Sequence, residues 1–222
     1  MANWNGFEAL AEVLLPHASG KASAGSRDGA HDLAHISRVW VNAFAIAARE
    51  GGADEILAAS VLLHDCVAVE KNSPLRSQAS RLAADQAVEI LSGLGWERKT
   101  AEAVHHAIAA HSFSAGVPPK SLHARVLQDA DRLDAIGMIG VARCFYTGGR
   151  MGSALYQPDD PRAEHRPLDD AAYALDHFRA KLFHLRDGFQ TPTGAAMAAE
   201  RHARMAEFVA AFEAEIGLDL AS

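Results

Sequence analysis

VLLHDCVAVEKN, residues 61–72, runs an apolar segment straight into a histidine and an aspartate, His64 and Asp65. Upstream, Ile56, Leu57, Ala59, Val61 and Leu62 follow Asp54, whose side chain suits the N-cap of a helix. A helix started there is apolar enough to be a core helix. It would deliver His64 and Asp65 to the bottom of the hydrophobic interior, where neither is cheap to bury without a partner. This stretch therefore predicts a helical core with polar chemistry seated at a helix end.

The same spacing continues in both directions. Phe7, Leu10, Ala11, Leu14 and Leu15 predict a short first helix, followed by the polar linker ASGKASAGSRDG. A helix from about Ala30 carries Ile36, Val39, Trp40, Ala43 and Ile46 and stops at Gly51–Gly52. Further helices are predicted near Gln78–Leu94, near Glu97–His111, and over LHARVLQDADRLDAIGMIGVARCF (Leu122–Phe145). A polar loop at about 149–167 interrupts the pattern, and a loop of that length is functional or disordered in most compact domains. Two helices finish the chain, about Asp169–Leu185 and Pro192–Ile216. No strand alternation and no repeat is present. The predicted fold is all-α: a single domain over residues 1–222, with a core at about 27–148 and two additional C-terminal helices within about 168–216.

Composition narrows the function. The 222 residues carry 28 Asp and Glu against 21 Lys and Arg, a net charge of -7, which disfavours nucleic acid as a partner. No stretch reaches the roughly 20 apolar residues of a membrane span, and the opening residues do not read as a secretory signal. Cys66 and Cys144 form no CxxC pair, so a reducing, cytoplasmic setting is the plain expectation. Monomer and homodimer both stay open.

Three other segments offer ligands like those of the His64–Asp65 pair. AHDLAHISRVW places His31 and His35 one turn apart on one helix face. AIAAHS supplies His111, and LQDADRLDAIG supplies Asp129, Asp131 and Asp134. Carboxylates in a buried helix need a partner, a hydrogen bond or a metal. A divalent cation accounts for the clustering, since it neutralises carboxylates and accepts neutral imidazoles as ligands. The bland readings stand beside this one. A lone His-Asp pair is a helix cap as readily as a ligand pair, His111 can cap its own helix, and Asp129 and Asp134 can be surface charges. Cys66 reads as a small buried hydrophobe.

Taken in order, HISRV from His35, LLHD through Asp65 and DADRL through Asp131 resemble the signature segments of the HD superfamily of metal-dependent phosphohydrolases. The resemblance extends over roughly Arg27–Phe208 and takes in one stand-alone bacterial branch, some members of which are similar to nucleoside-triphosphate pyrophosphohydrolases using manganese. It implies an HD-type helical bundle and the metal ligands His35, His64, Asp65 and Asp131. Two-metal members carry a further histidine before the segment matching His111, and Ser73–Ile90 contains none. One essential ion, Mn²⁺ or Mg²⁺, is therefore expected, with His111 acting on substrate or behind the ligands.

The implied reaction is hydrolysis of a nucleotide, a (deoxy)nucleoside triphosphate giving monophosphate and pyrophosphate, by a water that the ion activates. Asp65, Lys71 and His111 are the catalytic candidates. Lys71, Arg76, Arg38 and His31 are candidates for holding the phosphates, whose charge grows on the leaving group. Asp32, Asp129 and Asp134 are candidates to orient the water. Monophosphatase or phosphodiesterase activity, or a non-catalytic module binding metal and nucleotide, are the alternatives.

Overall fold

A computed structural model of the chain describes residues 4–18, 33–69, 73, 75–112 and 115–217. Among these residues the chain forms nine α-helices and no β-strand, so the all-α expectation holds. None of these helices is long and apolar enough to cross a membrane. The chain divides into two compact units, Met1–Asp131 and Arg132–Ser222.

The first unit contains α1 (Glu8–Ala18), α2 (Leu33–Glu50), α3 (Glu55–Leu63), α4 (Ala79–Gly93), α5 (Arg98–His111) and nearly all of α6 (Leu122–Leu133). α3 is its central element, packing against α1, α2, α4 and α5. Every residue from Leu57 to Leu63 is buried. A helix surrounded on all sides has no solvent face, which is why its sequence is apolar without a stripe. Each of its leucines contributes about 1.5–3 kcal/mol by leaving water. Asp54 caps it as predicted: Oδ1 accepts the Ile56 and Leu57 N–H groups at 3.0 and 3.1 Å. The other oxygen, Oδ2, lies 2.9 Å from His123 Nε2 at the start of α6. Trp40 stacks on Phe44 with ring centroids 4.3 Å apart, and Trp4 meets the Trp40 face edge-on.

Sequence pattern misplaces three boundaries. The single helix predicted over Leu122–Phe145 is two, α6 and α7 (Gly137–Met151). Ile136 is extended, and Gly137 follows at φ +73°, a conformation that L side chains rarely adopt. Apolar spacing runs through this break unaltered, so periodicity does not reveal it. α7 then continues to Met151, taking in residues expected to open the loop. The predicted helix Asp169–Leu185 is reduced to α8 (Ala174–Ala180) and a 3-10 turn, Leu182–Arg186. Ahead of α8, Asp169 Oδ1 accepts the Ala172 N–H at 3.0 Å, a local bond that competes with the helix ladder.

The second unit is built on α7, α8 and α9 (Pro192–Glu215), with α7 packing against both of the others. Phe145, Phe178, Phe208 and Phe212 form its aromatic centre, with centroids 5.8–6.0 Å apart. The long loop is tied into this unit rather than structureless. Arg166 donates to both oxygens of the buried Asp176, at 2.5 and 2.8 Å, and Ala154 exchanges backbone bonds with Ala172 and Ala174.

A Cβ on Gly140 would lie 2.4 Å from the Ala135 carbonyl oxygen. Gly140→Ala is therefore expected to destabilise the fold by about 1–3 kcal/mol, seen as a lower thermal midpoint. An unchanged midpoint would show that the turn before α7 yields freely.

Candidate metal centre

Three helices end at one place. His64 directly follows α3, His111 is the last residue of α5, and Asp131 sits in the last turn of α6. Helix C-termini carry partial negative charge, so their convergence favours a cation before any side chain is counted. His35, from the first described turn of α2, completes the group.

The side chains meet closely. His35 Nε2 lies 3.2 Å from His64 Nε2, 3.5 Å from Asp131 Oδ1 and 3.7 Å from Asp65 Oδ2. His64 Nε2 lies 3.7 Å from the same Asp65 oxygen and 4.0 Å from Asp131 Oδ1. Bonds of about 2.1 Å at right angles to one ion place neighbouring donors about 3.0 Å apart. The observed spacings are slightly wider; Asp65 Oδ2 joins the group through the two imidazoles. His35, His64 and Asp131 each offer a ligand atom within 4.8 Å of the other two.

Protonation suits a cation as well. His64 Nδ1 bonds the Val61 carbonyl at 2.8 Å, which leaves Nε2 as the lone-pair nitrogen facing the cluster. Burial pushes the pKa of this imidazole below its usual value, against the pull of Asp65, and the neighbouring His111 and His35 add to the lowering. His35 Nε2 and His64 Nε2 meet at hydrogen-bond distance with a carboxylate oxygen on either side, a crowding that positive charge among them would stabilise. The donors are nitrogen and oxygen only, a set that suits a divalent cation.

His111 is buried beside the cluster. Its Nδ1 bonds the Ile108 carbonyl at 2.6 Å, and its Nε2 stands 4.0 Å from Asp65 Oδ1. The two oxygens of Asp65 thus divide: Oδ2 faces the imidazoles of His35 and His64, and Oδ1 faces His111. The ring of His111 meets His64 edge-on at 5.1 Å.

Other expectations fare differently. Arg38 is half-buried on α2. Arg76 lies in the 3-10 turn Arg76–Gln78, with only its backbone described. His31, Asp32 and Lys71 lie outside the described residues. Asp129 and Asp134 are not surface charges: both are buried. Asp134 is engaged by Arg143 Nη1 at 2.8 Å, which removes it from the candidates for orienting water. Cys66 is the inert buried residue expected, its thiol pushed up to about 12 by burial and donating to the Ala83 carbonyl at 3.4 Å.

Sequence reading passes over Ser80 and Gln128. Both are buried donors to the end of α5, Ser80 Oγ to the Ala109 carbonyl at 3.2 Å and Gln128 Nε2 to the Ala110 carbonyl at 2.7 Å. These are carbonyls beyond the helix ladder. The signal was present: Ser80 shares its helical face with Ala83, Ala84, Ala87 and Leu91, and a polar residue at a core position needs a partner.

The chain resembles known proteins over most of its length. The HD domain family matches residues 32–136. An uncharacterised protein of Bacillus subtilis (strain 168), YpgQ, is 36% identical over 194 residues, covering 85% of this chain and 86% of its own length. The crystal structure of an HD-superfamily hydrolase from Bacillus thuringiensis superposes with a TM-score of 0.69 at 30% identity, covering 94% of this chain and 96% of that one. That of B. subtilis YpgQ in complex with ADP superposes with a TM-score of 0.68 at 30% identity, covering 94% and 97%.

Proposed function

We infer the function from a plain premise: the chain belongs to the HD superfamily of hydrolases, and as such is a metal-dependent phosphohydrolase. From that premise we take its substrate to be a nucleotide, and its reaction to be hydrolysis of a (deoxy)nucleoside triphosphate to monophosphate and pyrophosphate. The observation that carries the nucleotide reading is the ADP held by YpgQ, a relative matching this chain over nearly its whole length.

His35, His64, Asp65 and Asp131 would hold one divalent cation, Mn²⁺ or Mg²⁺. Such a cation supplies Lewis-acid chemistry, activating water and withdrawing charge from phosphorus. The protein's own groups do the rest. His111, with Nδ1–H committed to Ile108, offers the Nε2 lone pair to a proton of the attacking water. Asp65 Oδ1 faces that nitrogen and stabilises the imidazolium as it forms. The water oxygen bonds to the α-phosphorus, the α–β bridging bond breaks, and pyrophosphate leaves with the bonding pair. Arg38, Arg76, Lys71 and His31 are assigned to the phosphates, where positive charge offsets the charge gained by the leaving group.

The test is product identification. Protein with Mn²⁺ and a panel of nucleotides is expected to release pyrophosphate and monophosphate, and to stop on chelation. Inorganic phosphate as the sole product would replace this reading with a monophosphatase. Absence of turnover across the panel would make the chain a binding module.

A further inference from the structure

We propose that Asn42 and Gln128 are positioning residues that hold α6, and with it Asp131, in register with the helices carrying His35 and His111. The proposal rests on reading the cluster as a cation site. Ligand atoms serve one ion only when placed to about 0.5 Å. Yet α6, which carries Asp131, is not among the closely packed helix pairs of the described residues. Its apolar face is buried, but apolar contact alone is a soft constraint on register.

Two buried amides supply a harder one. Asn42 is 2% exposed and stands on α2 two turns beyond His35, on the same face. Its Nδ2 donates to the Ala130 carbonyl at 3.0 Å, one residue before Asp131. Gln128 is 5% exposed and stands on α6 about one turn before Asp131. Its Nε2 donates to the Ala110 carbonyl at 2.7 Å, one residue before His111. α2 is thereby pinned to α6 and α6 to α5, each pin landing beside a site residue. Aliphatic side chains of the same volume would fill both places at lower desolvation cost if packing were their only task. Each amide converts a helix separation into a hydrogen-bond length.

The experiment compares the full-length protein with Asn42→Leu and Gln128→Met, substitutions that keep volume and remove the donors. Each protein is stripped of metal, its thermal midpoint measured, and Mn²⁺ titrated in by calorimetry. Metal-free midpoints are expected to stay near wild type while the Mn²⁺ dissociation constant rises about tenfold or more in each variant. Unchanged Mn²⁺ affinity would overturn the proposal and leave the cation site standing. Midpoint and affinity falling together, or failure of both variants to fold, would also overturn it, because the amides would then hold the core rather than the site. A wild-type protein that takes up no Mn²⁺ would instead overturn the reading of the cluster, and the proposal with it.

Discussion

Asp65→Ala is expected to lose both the bound cation and turnover, the latter by at least about a thousandfold, or roughly 4 kcal/mol of barrier. Asp65 Oδ2 stands 3.7 Å from Nε2 of His35 and from Nε2 of His64. In the proposed ligand set, removing it takes one of two carboxylates and leaves two neutral imidazoles, halving the negative charge that would hold the ion. The fold should tolerate the change. Asp65 lies just past the end of α3 with its side chain 30% exposed, so no core cavity opens. Circular dichroism should match wild type while elemental analysis shows the metal gone. Asp65→Asn separates charge from shape and should follow the alanine variant in metal content. Wild-type metal content in Asp65→Ala would refute the ligand assignment.

His111→Ala is expected to do something different: keep the cation and lose turnover by about 10²–10⁴-fold. The ring is buried, its Nδ1 is engaged by Ile108, and its Nε2 approaches the oxygen of Asp65 that faces away from His35 and His64. That is the geometry of a group acting beside the ion. Calorimetric titration with Mn²⁺ and a single-turnover rate, measured on the same preparation, decide the matter. Loss of the cation together with activity would make His111 a ligand. Retention of both would remove it from the chemistry. Contrasted with Asp65→Ala, the pair of variants separates holding the ion from using it.

His64 and His111 show one device used twice. Each terminates its helix with Nδ1 bonded to the carbonyl three residues back, Val61 for one and Ile108 for the other. The carbonyls at a helix end lack a full complement of donors, so an imidazole there finds a partner locally and presents Nε2 outward. Such an arrangement is legible once the helix ends are known. The ends of α3 and α5 were: Asp54 announced the start of α3, and the apolar run stopped at His64. The end of α6 was not. Its apolar spacing continues past Leu133 into α7, and only the backbone at Ile136 and Gly137 divides them.

Asp131 and Asp134 illustrate the same limit. They lie three residues apart in a segment that reads as one helix, and both were candidates for work at the site. In the folded chain α6 ends between them. Asp131 faces His35 at 3.5 Å, and Asp134 turns to Arg143. Ser80 and Gln128 were visible as polar residues on apolar helix faces, but what they bond is set by other helices.

By itself the sequence determined the helical class, the start of the central helix, and the presence and order of groups able to hold a divalent cation. These follow from periodicity and capping, which act over one or two turns and are written in neighbouring residues. Only the tertiary structure decided which of 12 histidines and 28 acidic residues meet. Residues 35, 64, 65, 111 and 131 come together because α2 and α5, distant in sequence, pack against α3 and α6 is hydrogen-bonded to both, and such packing depends on the sum of many contacts that no local pattern encodes.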